Sequence, residues 1–162
     1  DYRLCRFSIF GRILNRSHCG EVIITPVLSG NFLASVNVTL SAAATAIVSK
    51  NMVVANLQCA AIENAVVFSL TFQERITYMR ASDGAIITEA FAIPYANVLT
   101  LPGTVAGMRC EIAAVITALS VALTPPSTVT NNITFTITAS TEFPPPAAQD
   151  VDSNTFTNFT LT

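Results

Sequence analysis

The sequence predicts an all-β protein, a β-sandwich of the jelly-roll or Ig-like kind with about seven to ten strands and extended N- and C-terminal arms. Apolar and polar residues alternate with a period of two along most of the chain, as in strands with one buried face. Threonine fills the polar face of several of these segments, which is typical of an exposed sheet surface. We divide the 162 residues into an N-terminal arm (1–20), a sandwich domain (21–142), and a Pro-rich spacer with a C-terminal strand (143–162).

Two strands are predicted in the first third of the chain. The first lies in the N-terminal arm, from Arg3 to Leu14, and its apolar side carries Cys5, Phe7, Ile9 and Ile13. The second runs from Ser35 to Val48, where valine, leucine and alanine at even positions alternate with polar residues. Such alternation predicts one face toward a core and one toward solvent.

The strand from Val66 to Tyr78 has the longest alternation. Its even positions are apolar except for Glu74, and the turn Glu63-Asn64 precedes it. A carboxylate on the buried face of a strand needs a cation or hydrogen-bond donors. We therefore expect Arg80 or Arg109 to pair with Glu74 in a structural role. Asp83-Gly84 predicts a two-residue hairpin.

Three further segments follow the hairpin. A return strand is predicted from Ala85 to Ile93, ended by Pro94. Residues 112–123 have helical spacing but also read as a strand buried on both faces, and we favour the strand because the neighbouring segments are strands. From Asn132 to Ser140 the alternation is cleanest, with apolar side chains opposing threonine and serine.

The C-terminal segment begins with a rigid spacer. Three prolines follow Phe143 and favour an extended polyproline conformation. Thr155 to Thr162 then predicts a last strand held away from the domain. Asp150 and Asp152 resemble the first ligands of an EF-hand, but Thr155 and Leu161 replace its required glycine and glutamate. They are a weak calcium candidate, and no metal site is predicted.

The composition excludes several classes of function. Hydrophobic residues make up 51% and charged residues 11%, with a net charge of −2, so an electrostatic nucleic-acid footprint is excluded. The chain has two long uncharged stretches, 22–49 and 112–141. Proline, asparagine and threonine interrupt both, so neither offers the 18 consecutive apolar residues that a membrane-spanning helix needs, and no membrane span is predicted. A weakly charged surface favours association.

Four cysteines permit three intramolecular pairings, which the sequence does not distinguish; the candidates for disulfides are Cys5, Cys19, Cys59 and Cys110. Adjacent His18 and Cys19 would face opposite sides of a strand, so they do not predict a nucleophile pair. The N-x-[ST] triplets at Asn15, Asn37, Asn132 and Asn158 carry little weight in a threonine-rich chain.

Residues 51–140 resemble the SPOCS domain of spore-coat assembly and morphogenetic proteins of endospore-forming bacteria. The resemblance rests on an ordered set of short motifs: Ile76-Thr77-Tyr78, Asp83-Gly84, Ile93-Pro94-Tyr95, Pro102-Gly103 and Gly107-Met108. It implies a building block of the spore envelope, without catalysis. The corner from Ala92 to Leu101 departs from that pattern because it is uncharged.

Together these features predict a structural, self-assembling subunit of a bacterial spore surface layer or appendage, located outside the cell. We expect it to polymerise by strand exchange between subunits, with disulfides as cross-links, and to contact other spore or cell-surface proteins. The candidate anchors are Phe156, Phe159 and Leu161 in the C-terminal strand, then Phe7 and Ile9. No catalytic residue or cofactor is predicted. The alternatives are a capsid, pilus or surface-filament subunit of a virus or archaeon, and a monomeric binding module that uses the Ala92–Leu101 corner.

Overall fold

A computed structural model describes residues 26–143, which form six β-strands. In chain order these are β1 (Val27–Thr39), β2 (Ala44–Ile62), β3 (Ala65–Arg80), β4 (Ile86–Thr100), β5 (Arg109–Thr124) and β6 (Thr128–Glu142). The predicted strands Arg3–Leu14 and Thr155–Thr162 lie outside the described residues. No helix in the described part is long and apolar enough to cross a membrane.

The strands form two antiparallel sheets of three. Sheet A has the order β1-β6-β5, and sheet B has the order β2-β3-β4. The chain passes from sheet A to sheet B after β1, completes sheet B as a meander, and returns to sheet A after β4. This arrangement confirms the predicted all-β fold class.

The core lies between the two central strands. Val66, Phe72, Ile76 and Tyr78 of β3 are fully buried, as are the inward residues of β6. The rings of Phe72 and Phe135 meet edge to face at 5.1 Å between the sheets. These contacts confirm the alternation predicted for Val66–Tyr78 and Asn132–Ser140, because the apolar set of each strand faces the other sheet.

The predicted single strand from Ser35 to Val48 is wrong. The chain leaves sheet A at Thr39 and enters sheet B at Ala44. Leu40 and Ala44 are both buried in this crossing, at 3% and 5% exposure. The even positions therefore stay apolar through the connection, and alternation alone does not reveal it.

Pro94 does not end the return strand, which continues to Thr100. β4 is an edge strand of sheet B, and an edge strand tolerates a residue without an N–H where no partner strand needs it. Most of the uncharged segment Ala92–Leu101 is therefore strand, and the chain turns only beyond Thr100.

The ambiguous segment 112–123 lies within β5, which confirms the strand interpretation. The predicted turn at Glu63-Asn64 forms between β2 and β3, with a φ of 54° at Asn64. The predicted two-residue hairpin at Asp83-Gly84 is wrong, because the five residues 81–85 separate β3 from β4; Gly84 takes a positive φ of 70° within this longer turn. Beside Gly84, the Arg80 guanidinium binds the Asp83 carboxylate. Together with the Ala85 N–H, it lowers the pKa of Asp83 to about 2.

Candidate functional site: the sheet edges and a buried polar pair

A sandwich of two three-stranded sheets has four edge strands, and two of them are joined to each other. β2 and β5 contact each other extensively, whereas β1 and β4 contact each other little. Cys59 on β2 and Cys110 on β5 form a disulfide between the sheets. Nine residues away along each of these strands, Lys50 Nζ donates to the Leu119 carbonyl oxygen on β5 at 3.4 Å. The β2–β5 side of the sandwich is therefore linked, both covalently and by hydrogen bonding.

Three of the four edges carry features that discourage pairing with another strand. Register shifts interrupt the pairing of β2 with β3 at three places, and that of β5 with β6 at one. β4 contains Pro94, and it turns the charged side chain of Glu89 toward the inside. Bulges, prolines and inward-pointing charges are recognised means of protecting a sheet edge.

β1 has none of these features. Its 13 residues include no charged residue and no proline, and they pair with β6 without a register shift. Leu33 projects outward from the middle of β1 and is 67% exposed. Among residues 26–143, no strand pairs with the other edge of β1. It is thus an uninterrupted, uncharged template for strand addition.

Along β1 and β6, the outer face of sheet A carries mostly short polar side chains. Hydroxyl and amide groups of β1 and β6 pair across the strands at 2.7–2.8 Å, in the pairs Ser29–Thr138, Asn31–Thr136, Ser35–Asn132 and Asn37–Thr130. These cross-strand bonds join β1 to β6 along most of its length. The sequons at Asn37 and Asn132 fall within this array, inside strands as predicted.

Both ends of the described chain leave the sandwich at the same place. The Thr141 N–H donates to the Pro26 carbonyl oxygen at 3.1 Å, immediately before β1 and near the end of β6. Pro26 and Thr141 therefore lie beside each other, next to the beginning of β1.

A polar pair is buried between the sheets. Glu74 of β3 is 2% exposed and Asn131 of β6 is fully buried. Asn131 Nδ2 donates to Glu74 Oε2 at 2.7 Å. The expectation that Arg80 or Arg109 would pair with Glu74 is wrong. Arg80 lies six residues away along β3, about 20 Å, and binds Asp83.

Arg109 lies at the start of β5, where its guanidinium approaches the carboxylates of Glu111 and Glu142 at 3.5 and 3.8 Å. It is engaged at the surface, at the end of the sheet, and not in the core.

Few charged groups face the buried pair. Lys50 lies on the inward side of β2, and Glu89 on the inward side of β4; the inward faces of β1, β5 and β6 hold no titratable side chain. Burial raises the pKa of the Glu74 carboxyl above 4.5, while the hydrogen bond from Asn131 and the charge of Lys50 offset part of the rise. The balance of these effects shifts the Glu74 carboxyl toward its protonated form relative to an exposed carboxyl.

Glu89 has the opposite tendency. Its carboxylate accepts hydrogen bonds from the Ser41 N–H, the Ser41 hydroxyl and the buried Tyr78 hydroxyl. Burial alone would raise the pKa of Glu89, but these hydrogen bonds outweigh it and lower the pKa. The ionised carboxylate ties the connection after β1 to sheet B.

The outer face of sheet B carries shallow grooves. One of about 520 Å³ lies beside Gln73, Arg75 and Ala90, and another of about 470 Å³ lies beside Pro94 and Ala96. The second touches the uncharged Ala92–Leu101 segment that the binding-module alternative would use. No group of three or more His, Cys, Asp or Glu side chains suited to a metal occurs within residues 26–143.

Of the predicted site residues, the structure brings together Cys59 and Cys110. The remaining predicted positions lie outside the described residues: Cys5, Cys19, Phe7, Ile9, Asp150, Asp152, Phe156, Phe159 and Leu161. The sequence reasoning missed Asn131, although a signal existed. Asn131 is in phase with Ile133 and Phe135, so extending that alternation by two residues places it on the dry face.

Comparisons of the chain with protein-family models, curated proteins and solved structures find no match.

Proposed function

We propose that this chain is a structural subunit that polymerises with copies of itself, by adding a terminal strand of one subunit to the β1 edge of the next. The single observation that carries the proposal is the β1 edge, which lacks the charge, proline and bulge that protect the other three edges. Backbone hydrogen bonds along such an edge supply affinity, and the alternating side chains select the register.

The C-terminal segment Thr155–Thr162 is the first candidate for the donated strand, because three prolines after Phe143 precede it in the sequence and favour an extended spacer. Phe156, Phe159 and Leu161 would be its apolar anchors. The N-terminal segment Arg3–Leu14 is the second candidate, with Phe7 and Ile9 as anchors. Cys5 or Cys19 could then cross-link neighbouring subunits.

We place this subunit outside the cell, in a bacterial spore surface layer or appendage, where it would contact further copies and other surface proteins. Two observations support the location. The Cys59–Cys110 disulfide fits an oxidising compartment, and the short motifs between Ile76 and Met108 resemble those of spore-coat assembly domains.

The test compares two variants of the full chain. Leu33→Lys places a charge on the β1 edge, and Val115→Lys is its matched control. Val115 is 62% exposed on the outer face of β5, at the opposite edge of the same sheet. We expect the wild type and Val115→Lys to elute as large assemblies in native chromatography and to form fibres in negative-stain microscopy. Leu33→Lys should remain largely monomeric, with an unchanged circular dichroism spectrum.

A third variant identifies the donated strand. Deleting residues 147–162 should leave a folded sandwich that does not polymerise. Equal polymerisation of both lysine variants would refute the β1 edge as the acceptor. A wild-type chain that stays monomeric under all conditions would refute self-assembly and favour a binding module. Microscopy separates a fibre or sheet from the closed shell expected of a capsid.

A further inference from the structure

The chain has one lysine, and it lies near the one carboxyl–carboxamide pair in the described core. We propose that Lys50 and Asn131 become joined by an intramolecular isopeptide bond, with Glu74 as the catalytic acid–base group. The bond would connect β2 of sheet B to β6 of sheet A. It goes beyond the proposed assembly function, because it forms within a single subunit.

Lys50 is placed on the correct side of its strand. It pairs directly with Ile76 of β3, whose side chain is fully buried, so the Lys50 side chain leaves β2 on the inward face. The next inward pair along the same two strands is Met52 with Glu74. Lys50 and Glu74 are therefore diagonal neighbours on the inner face of sheet B.

The Lys50 side chain already crosses to the other sheet. Its Nζ donates to the carbonyl oxygen of Leu119 on β5. Two residues further along β5, Val121 pairs directly with Asn131 of β6. Rotation of the flexible lysine stem from the β5 main chain toward the core moves Nζ in the direction of the Asn131 carboxamide.

Glu74 on β3 and Asn131 on β6 bring a carboxyl group into contact with a carboxamide. Asn131 Nδ2 donates to Glu74 Oε2, while Glu74 Oε1 and Asn131 Oδ1 have no hydrogen-bond partner. Both unpartnered atoms are acceptors if Glu74 is ionised, and leaving them buried is costly. A proton on Oε1 supplies the missing donor to Oδ1. Phe72 and Phe135, both fully buried, provide apolar surroundings that favour the protonated form of Glu74.

This arrangement suits acyl transfer. After Lys50 loses a proton to solvent, the neutral Nζ attacks Cγ of Asn131. Protonated Glu74 gives its proton to Oδ1 in the tetrahedral intermediate and, as a carboxylate, takes up the proton released by Nζ. It passes that proton to Nδ2 as Nδ2 departs, and it regains a proton from Oδ1 when the amide carbonyl re-forms. One Nζ–Cγ bond forms, one Cγ–Nδ2 bond breaks, and ammonia leaves. The electron count balances without an oxidant or another reactant.

The direct test is the mass of the full-length protein after complete reduction of its disulfides. We expect a mass lower than the sequence mass by one ammonia molecule. Trypsin should then fail to cleave after Lys50, so that residues 17–75 stay attached to residues 110–162 after reduction and alkylation. Reduction is essential because the Cys59–Cys110 disulfide joins the same two regions.

Two variants serve as controls. Lys50→Arg keeps a positive charge but cannot form the amide under these conditions, and Glu74→Gln keeps the size and hydrogen bonding of the side chain but cannot act as the acid–base group. Both should show the full sequence mass and separate peptides. A wild-type protein with the full sequence mass, or one that has lost ammonia but yields separate peptides, would overturn the proposal. Neither outcome bears on polymer formation, so the two proposals fail independently.

Discussion

The disulfide between Cys59 and Cys110 should contribute about 4 kcal/mol to the free energy of unfolding. The two cysteines are 51 residues apart in the sequence, and the chain-entropy relation gives about 4 kcal/mol for closing a loop of that size in the unfolded chain. The perturbation is the double change Cys59→Ala and Cys110→Ala. It is made in a background with Cys5→Ser and Cys19→Ser, so that no other thiol can pair.

The predicted size depends little on the proposed isopeptide bond. If Lys50 and Asn131 are joined, Cys59 and Cys110 are already held in a shorter loop through that bond. Because loop entropy grows only with the logarithm of loop length, the contribution of the disulfide falls by about 0.5 kcal/mol. The expected loss therefore remains between about 3 and 4 kcal/mol in either case.

Urea unfolding followed by circular dichroism measures this loss. The background protein and the double alanine variant are compared with and without reductant. Reductant should destabilise the background protein by a similar amount and leave the alanine variant unchanged. A loss below about 1 kcal/mol would refute the reasoning, because it would mean that the cross-link does not restrict the unfolded chain.

Two further predictions concern the core. In a Lys50→Arg background, Glu74→Gln should remove a pH dependence of the free energy of unfolding. Because burial raises the folded pKa of Glu74, its stabilising contribution is complete below about pH 4.5 and is lost as pH rises through the folded value, with a slope near 1.4 kcal/mol per pH unit. Parallel pH profiles of urea unfolding for the two proteins would contradict this. Phe135→Ala should cost about 3–5 kcal/mol, because its fully buried ring packs against rings from both sheets; a midpoint shift equivalent to less than about 1 kcal/mol would show that the ring is not part of the core.

The fold was predictable where burial follows the strand period. β3 and β6 are the central strands, so their inward residues are fully covered and their apolar and polar positions alternate cleanly. β2 was not predicted as one element, because register shifts near its start and after Ala55 interrupt its alternation. The tolerance of Pro94 depends on β4 being an edge, which is a property of the assembled sheet and not of the local sequence.

Of the buried pair, the sequence predicted the position of Glu74 but not its partner Asn131. The alternation of β3 places Glu74 on the dry face, and the structure confirms it. Its partner could not be chosen by charge, because the adjacent Arg75 lies on the opposite face of β3, and Arg80 and Arg109 are engaged at the ends of the strands. Asn131 belongs to the opposite sheet, and only the packing of β3 against β6 brings it to Glu74.

The two proposals place their bonds on opposite sides of the sandwich, and this has a mechanical consequence. A strand added to the β1 edge pulls first on β1, and β1 is held to β6 by an uninterrupted ladder. β6 is hydrogen-bonded to β5, which the disulfide joins covalently to β2. A Lys50–Asn131 bond would join β6 itself to β2, so that a load from a neighbouring subunit would reach sheet B without passing through β5. A polymerising subunit therefore gains from this bond in a way that a monomeric binding module does not.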